Sequence, residues 1–322
     1  MITDQSPPTA DQPPLVEPRP RRGRRRLRAL LAVSALSLGL YGFVRLDRSV
    51  AERFGPVFVG IHDLFNQVPG KPAPLSATGR RFVEDVKALG GNPGVAILKP
   101  GFFGYFGREE WFDVTTHERS FDDAALGRLA ELHGERIGGL YLQNTGVTDV
   151  GLRHLGKFSK LRHLEIRNDA RRSTQGESPP TITDAGMAHL KGLTHLWSLD
   201  VGDSAITDAG LDAIKDLPEL MSLYLSNTGV KGPGLAGLKS LPRLLVLTLD
   251  GSQMTEDGLK ALSGATSLQI LSLNGLHLTP GALPLLKAIP RLDRLEITGC
   301  GFLDEEVADL KKSRPGMRIE RR

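Results

Sequence analysis

The chain is short of the residues that build metal and covalent chemistry, and each shortage excludes a class of protein. Its 322 residues contain one cysteine, Cys300, which excludes an intrachain disulfide framework and any metal site made of several thiolates. The eight histidines are scattered without the spacing of metal ligands. No nucleophile and base form a recognisable constellation. The sequence therefore predicts no metal, no cofactor and no enzymatic activity.

Excess charge of one sign is absent from most of the chain. The formal net charge is +4, but residues 1–28 carry seven arginines and only three acids. Removing these from the 41 basic and 37 acidic residues leaves 34 of each sign. The rest of the chain is electrically balanced, so it offers no basic footprint for nucleic acid.

One apolar run follows the arginines. Residues 29–44 carry no charge and are bracketed by Arg28 and Arg45. If the side chains of these arginines reach toward the membrane–water interfaces, residues 27–46 have the length of about 20 residues that a membrane-spanning helix needs. We interpret this segment as a single-pass transmembrane signal anchor. Residues 1–26, rich in proline and arginine, are expected to form a disordered cytoplasmic tail.

The arginine excess also predicts an orientation. The more positive side of a single-pass segment stays in the cytoplasm, so the rest of the chain is expected outside the inner (plasma) membrane. A cleaved signal peptide is the alternative, but the candidate cleavage site Ser49–Ala51 lies beyond charged Arg45 and Asp47. Residues 47–76 are expected to form a stalk, with apolar residues at helical spacing that pack on the first repeat or rest on the membrane.

What the chain has in abundance is a repeated leucine pattern. The unit reads L-x-x-L-x-L-x-x-(T/S)-x-(I/V)-T-D-x-G-L-x-x-L-x-x-L and recurs every 24 residues, except for one insertion of 11 residues at Ala170–Pro180. A fixed period in this range predicts a solenoid. The insertion is either part of a binding face or an idle surface loop. The repeats begin at Ile137, Leu161, Leu196, Leu220, Leu244, Leu268 and Leu292.

Within each repeat, apolar offsets counted from the first residue predict a strand and a helix. Leucines at offsets 0, 3 and 5 surround a short strand, and those at offsets 15, 18 and 21 have helical spacing. Small polar residues at offset 8 are expected to hydrogen-bond the turn backbone from one coil to the next, Cys300 among them. Predicted helix N-caps are Thr148, Thr183, Thr207, Thr255 and Thr279, and glycines that allow close approach of coils are Gly151, Gly186, Gly210, Gly234 and Gly258.

The two ends of the stack carry different patterns. Residues 77–136 are expected to form an N-terminal cap and a degenerate repeat, and residues 137–322 the repeat domain proper. An aromatic stretch, Gly101–Gly107, is expected to seal the open end, or alternatively to expose rings that stack on envelope sugars. The predicted elements are a helix at Ala77–Leu89, strands at Val95–Leu98 and Trp111–Thr115, a helix at Asp122–Leu132 and a last strand at Met317–Glu320.

The repeated segment resembles the leucine-rich-repeat family over Ile137–Arg314. Its T-D-x-G-L portion is similar to the subtype of many bacterial leucine-rich-repeat proteins and of the repeat half of F-box receptors. The resemblance implies an α/β fold, a right-handed leucine-rich-repeat solenoid curved like a horseshoe, with parallel strands on the concave face and helices on the convex face. It also implies protein recognition as the usual activity.

Alternation along the strands predicts which residues face the concavity. Offsets 2, 4 and 6 should point there, and charged and aromatic residues gather in the first four repeats. Aromatic and arginine side chains dominate binding hot spots, so we place the binding anchor among these residues. The predicted binding residues are Tyr141, His163, Glu165, Arg167, Asp200 and Tyr224.

The predicted function is binding of a protein or cell-envelope ligand, without catalysis. Two alternatives remain open. Glu165 and Asp200 fall at one offset of consecutive strands, about 4.8 Å apart in backbone, which a carboxylate-dependent hydrolase would need. A cytoplasmic regulator or a substrate-recognition subunit of ubiquitin-ligase type requires instead that residues 27–46 do not insert into a membrane.

Overall fold

The recurring leucines build the fold, because each short strand places its apolar side chains on one side of a growing sheet. The computed structural model describes residues 77–89, 97–98, 111–168 and 182–321. Their strands join in one sheet whose order follows the chain from β1 to β10. β1 and β2 are antiparallel, and every later pair is parallel. One strand per coil in sequence order is the predicted α/β leucine-rich-repeat solenoid.

The strands are short and recur at the same offsets of each repeat. From β4 to β9 they begin at offset 2, as the leucine pattern predicts. Their bounds are β1 Ile97–Leu98, β2 Trp111–Thr116, β3 Ile137–Gln143, β4 His163–Arg167, β5 Ser198–Asp200, β6 Ser222–Tyr224, β7 Val246–Thr248, β8 Ile270–Ser272, β9 Arg294–Glu296 and β10 Arg318–Glu320.

Short helices return the chain from the end of one strand to the start of the next. The α-helices are α1 Ala77–Ala88, α2 Asp123–His133, α3 Asp149–Leu152, α4 Asp184–Met187, α5 Glu256–Leu262, α6 Ala282–Lys287 and α7 Asp304–Ser313. The 3₁₀-helices are Gly134–Arg136, Leu155–Lys157, Ala188–Leu190, Asp208–Ala213 and Pro233–Ser240.

The prediction of a regular helix in every repeat was therefore only partly right. Two repeats use 3₁₀-helix alone, at Asp208–Ala213 and Pro233–Ser240, and two others combine one α-turn with a 3₁₀-turn. A 3₁₀-helix rises about 2.0 Å per residue against about 1.5 Å for an α-helix, so it covers the same distance with fewer residues. The 24-residue repeat leaves few residues for the return path.

The core is one continuous cluster of side chains running through the stacked coils. Leu220, Leu223 and Leu225 of one repeat are completely buried, and so is Val230 in the turn that follows. Each such side chain contributes about 1.5–3 kcal/mol when removed from water. Because a single coil exposes its leucines on both sides, the stack as a whole stabilises each repeat.

A residue with left-handed backbone conformation follows six of the strands, directly or within three residues, a feature that the sequence pattern did not predict. Offset 7 has positive φ in six repeats and is occupied only by asparagine, aspartate or glycine. These are the residue types that tolerate this conformation. The residues are Asn144 (φ 53°), Asp203 (56°), Asn227 (57°), Gly251 (63°), Gly275 (71°) and Gly299 (72°).

The N-terminal helix α1 packs on β2. Phe82 of α1 is fully buried and stacks on Phe112 of β2 with ring centroids 4.3 Å apart. His133, at the end of α2, is buried and meets the Phe82 ring edge-on. Its Nε2 atom lies 2.9 Å from a carboxylate oxygen of Asp85 in α1. A stacked pair of rings thus joins α1 to β2, and a polar contact joins α1 to α2.

The threonine–aspartate pairs link neighbouring coils as well as capping helices. The hydroxyl of Thr183 accepts a hydrogen bond from the Ala185 amide at 3.2 Å, which confirms the predicted N-cap. Its own amide and hydroxyl donate to Asp149 of the preceding coil. The same arrangement joins Thr148 to Asp123 and Thr207 to Asp184.

The glycine that follows each aspartate makes room for this link. A β-carbon on Gly186 would lie 2.2 Å from Oδ1 of Asp149, and one on Gly210 would lie 2.4 Å from Oδ1 of Asp184. The predicted close approach of coils at these glycines is confirmed, with the preceding carboxylate as the contact.

The prediction for offset 8 was wrong for four residues. The hydroxyls of Thr145 and Ser252 are buried and have no hydrogen-bond partner among the described residues. The hydroxyls of Ser204 and Thr228 donate to the carbonyls of Val201 and Leu225, three residues earlier in their own coil. Cys300 follows the prediction, since its thiol donates to the carbonyl of Leu273 in the preceding coil at 3.0 Å.

Several predictions concern residues outside the described ranges. These are the anchor at 27–46, the stalk at 47–76, the aromatic stretch Gly101–Gly107 and the insertion Ala170–Pro180. Within the part of the chain that the structure describes, no helix combines the length and the apolar character of a membrane span.

Candidate functional site

The six predicted binding residues lie together on the sheet face turned away from the core, here called the open face. In the parallel register, Tyr141 pairs with Glu165, Glu165 with Asp200, and Asp200 with Tyr224. They therefore form one row across β3 to β6. His163 and Arg167 flank Glu165 on β4, one on each side of this row. Their role in binding stays a prediction.

Arg167 is the centre of an ionic network at one edge of the row. Its Nη2 and Nε atoms donate to Oδ2 of Asp203 at 2.6 and 3.1 Å. Its Nη1 atom lies 3.3 Å from Oδ2 of Asp200. Burial lowers the pKa of Arg167, but Asp200 and Asp203 outweigh this and raise it. Asn227 completes the network by donating to Oδ1 of Asp203 at 2.7 Å.

Asp200 is a buried carboxylate of this network. Burial raises the pKa of Asp200 to about 6, although Arg167 opposes the shift. Its Oδ1 atom also accepts a hydrogen bond from the Gly202 amide at 3.0 Å. Arg167 and Gly202 thus occupy both carboxylate oxygens.

Glu165 has a different partner, although it lies beside Asp200. The side-chain amide of Gln143 donates to its carboxylate. Burial raises the pKa of Glu165, while the Gln143 hydrogen bond and the charge of Arg167 oppose the rise. The predicted neighbourhood of Glu165 and Asp200 is confirmed by their register. Each carboxylate, however, is engaged by its own donors rather than by the other.

Aromatic rings continue from the row toward the N-terminal ends of the strands. The rings of Tyr141 and His163 lie 6.5 Å apart at 20°, and His163 meets Trp197 edge-on at 6.2 Å. The Arg162 guanidinium lies 5.0 Å from the centre of the Trp197 ring. Burial and the charge of Arg162 lower the pKa of His163 to about 4, so this imidazole is neutral at pH 7.

Trp197 belongs to an apolar row that the sequence reasoning missed. Trp197, Met221 and Leu245 occupy offset 1 of consecutive coils, and all three are half-buried. The amide of Met221 donates to the Trp197 carbonyl at 2.8 Å, and that of Leu245 to the Met221 carbonyl at 2.9 Å. Only offsets 2, 4 and 6 were expected to face the concavity. The large apolar residues at offset 1 of three consecutive repeats were the signal in the sequence that could have predicted this row.

Asp113 is a second residue that the sequence reasoning missed. It lies on β2 in register with Gly139, between Phe112 and Val114, which point into the core. Only 6% of Asp113 is exposed, and burial raises its pKa to about 6. The alternation along Trp111–Thr115 already placed Asp113 opposite the core side chains, but this strand precedes the recognisable repeats.

The described residues contain no candidate metal site. No group of three or more histidine, cysteine, aspartate or glutamate side chains within them is arranged to hold an ion. Cys300 is buried, and burial raises the pKa of its thiol. The side chain therefore serves the stack through its hydrogen bond to Leu273.

Three solved structures overlap with parts of the chain. An internalin C2 of Listeria monocytogenes is 17% identical, with 66% of this chain and 80% of that chain covered and a TM-score of 0.45. An internalin of the same species is 19% identical, covers 65% and 58%, and has a TM-score of 0.40. An LRR protein of Leptospira interrogans is 14% identical, covers 58% and 55%, and has a TM-score of 0.35.

No protein-family model matches the chain, and no curated protein does. The fold is established by the chain's own geometry. One short strand per coil, parallel register from β2 to β10 and buried leucines at fixed offsets together make the described residues a leucine-rich-repeat solenoid.

Proposed function

We propose that this protein binds another protein through the open face and catalyses no reaction. The observation that carries the proposal is the gathering of Tyr141, Arg167, Trp197 and Tyr224 on the adjacent strands and strand entries of β3 to β6. Tryptophan, tyrosine and arginine are the side chains that dominate protein-binding hot spots. Their fixed backbone register means that little ordering is required when a partner binds.

The chemistry of the two carboxylates supports the absence of catalysis. A glycoside hydrolase needs one carboxyl group to donate a proton and the other to attack or to activate water. Asp200 is engaged by Arg167 and by the Gly202 amide, and Glu165 by Gln143. A hydrolytic activity that disappears in a Glu165→Gln variant with unchanged folding would overturn this part of the proposal.

We further propose that the protein is anchored in the inner membrane with the repeats outside the cytoplasm. The uncharged run within residues 27–46 and the arginines that precede it support this topology. A C-terminal alkaline phosphatase fusion should be active, and a C-terminal green fluorescent protein fusion should be dark. The opposite pair of results would place the repeats in the cytoplasm and favour the regulator alternative.

The binding proposal is tested by affinity capture with the full chain as bait. Membrane extracts of the source cells should yield a partner whose recovery falls at least about tenfold with Trp197→Ala or Tyr224→Ala, since hot-spot truncations cost 2 kcal/mol or more. The matched control is Lys260→Ala, an exposed residue of α5 on the other side of the coil. Equal recovery with all three variants would contradict the proposal.

A further inference from the structure

The open face carries a buried carboxylate that has no partner among the described residues. No hydrogen bond or ion pair joins the Asp113 side chain to any residue that the structure describes, although 94% of the residue is removed from solvent, since only 6% is exposed. An unpaired buried charge is costly, and most such groups in proteins are paired or bind a ligand. Burial is the cause of its raised pKa, and no cation among the described residues opposes that shift.

The carboxylate is directed over the bare backbone of the neighbouring strand. Oδ1 of Asp113 lies 2.6 Å from the position that a β-carbon on Gly139 would occupy, and Cε2 of Tyr141 lies 2.8 Å from the same position. Asp113 and the edge of the Tyr141 ring therefore meet above Gly139. A side chain at position 139 would separate them.

A second acidic group lies on the far side of Tyr141. Glu165 pairs in register with Tyr141 on the next strand, and its described hydrogen-bond donor is the neutral amide of Gln143. Arg167 forms its ion pairs with Asp200 and Asp203, although its charge also opposes the rise in the pKa of Glu165. Arg162 stacks on Trp197, and Glu219 is the acid that acts on its pKa.

This combination fits a cation and repels an anion. A carboxylate beside an aromatic ring is the usual surrounding of an ammonium or guanidinium group, which both attract. A divalent metal prefers six or more oxygen ligands, and no group of three acidic or other ligating side chains exists among the described residues. An organic cation is therefore the ligand class that the site favours.

We propose that Asp113, Tyr141 and Glu165 bind a basic side chain, lysine or arginine, of the protein partner above Gly139. The inference rests on the proposed function and names the chemistry of the partner. It also gives a role to a buried carboxylate that has no partner among the described residues, at a position where a neutral residue would stabilise the fold.

The test uses fluorescein-labelled octalysine and the full chain, followed by fluorescence anisotropy at low salt. The protein without its first 28 residues is electrically balanced and the whole chain is positive, so overall charge does not predict binding. Binding to the wild type should weaken at least about tenfold in Asp113→Asn, because one partner of a buried charge pair is lost. The matched control is Asp257→Asn, an exposed acid of α5 that removes the same charge.

Two further arms separate the possible sources of the cation. Nε-acetylated octalysine, which lacks the positive charges, should not bind. Spermine at equal charge concentration should compete at least about tenfold less well, since linked contacts along one chain raise the effective concentration of each. Binding of the acetylated peptide, competition by spermine equal to octalysine, or unchanged affinity in Asp113→Asn would each overturn the inference.

Failure of this inference can be told apart from failure of the proposed function. If octalysine does not bind but Trp197→Ala still abolishes capture of a partner, the open face binds protein through other chemistry. If a partner is captured equally by every open-face variant while octalysine binding depends on Asp113, the basic-side-chain inference also fails, because its partner does not use this face.

Discussion

Asp149 accepts two hydrogen bonds from Thr183 of the next coil, from the amide at 2.9 Å and from the hydroxyl at 2.5 Å. The Thr183 hydroxyl in turn caps α4. One carboxylate thus fixes the start of a helix in the following repeat. Because an equivalent pair occurs in the coils on both sides, these contacts transmit the register of one repeat to the next.

The first prediction follows from this pair. Asp149→Ala should destabilise the protein by about 1–3 kcal/mol, because the amide and hydroxyl of Thr183 lose a charged acceptor. Urea unfolding followed by circular dichroism measures the change. Asp212→Ala is the control, since Asp212 is exposed and pairs only with the exposed Lys215. A loss for Asp149→Ala no greater than that of the control would contradict the assigned role.

The second prediction concerns the glycine beneath the same carboxylate. Gly186→Ala should cost about 1–3 kcal/mol, because the new methyl group would lie 2.2 Å from Oδ1 of Asp149 and force it away from Thr183. Gly156→Ala should be neutral or slightly stabilising, since nothing lies within 4 Å of a β-carbon there.

A double-mutant cycle sharpens this prediction. In the Asp149→Ala background the obstructing oxygen is absent, so Gly186→Ala should cost less than in the wild type. Additive losses would show that the two residues act independently and that the contact is not the reason for glycine at this position.

The threonine–aspartate pair and Asp113 together show which features a sequence pattern can predict and which it cannot. Periodicity predicted the strands, the buried leucines and three of the five caps, Thr148, Thr183 and Thr207, because these depend on offsets within one repeat. The other two cap predictions were wrong: the Thr255 side chain makes no capping hydrogen bond, and the N-cap of α6 is Gly281 rather than Thr279. The threonine of the T-D pair was predicted as a helix cap, and the link from the aspartate to the next coil was missed because it depends on the side-chain geometry between coils. Asp113 was missed because β2 precedes the recognisable repeats.

The candidate site was predictable in position but not in chemistry. Alternation and repeat offsets were sufficient to bring Glu165 and Asp200 to adjacent strands. They were not sufficient to show that Arg167 turns toward Asp203, which adopts the left-handed conformation at φ 56°. Backbone conformation at the strand end decides where that carboxylate lies, and no residue spacing encodes it.

The third prediction concerns the dependence of stability on pH. Burial raises the pKa of folded Asp113 from 3.8 to about 6, so the folded chain binds more protons than the unfolded chain between these values. Stability attributable to Asp113 therefore falls as the pH rises through this window, and the loss is complete above it. Asp113→Asn should be more stable than the wild type by about 1–3 kcal/mol at pH 8 and similar to it near pH 4.

Urea unfolding at both pH values measures this difference. The lowered pKa of His163, to about 4, has the opposite pH dependence but is common to both proteins, so it cancels in the comparison. Asp257→Asn, on the exposed surface of α5, should show no such dependence. Equal stability of Asp113→Asn and wild type at pH 8 would show that the carboxylate is not destabilising.

The fourth prediction concerns Arg314, which follows α7 and holds the last coil to the preceding one through hydrogen bonds. Its Nη1 atom donates to the carbonyls of Lys287 and Ile289, both at 3.0 Å, and its Nη2 atom to those of Pro290 and Leu292 at 3.4 and 2.9 Å. These carbonyls belong to the last residue of α6 and to the segment that leads from α6 to β9. The planar fork of the guanidinium reaches the four together, which a lysine ammonium cannot reproduce.

Arg314→Lys should therefore lose most of the stabilisation that Arg314→Ala loses, about 1.5–3 kcal/mol, even though the charge is retained. Native-state hydrogen exchange should show a loss of amide protection first in β9 and β10, because the end of the stack would open before the rest. Lys311→Ala, an exposed residue of α7, serves as the control and should leave exchange unchanged. Wild-type protection in Arg314→Lys would mean that charge near the helix end, rather than the shape of the guanidinium, stabilises the final coil.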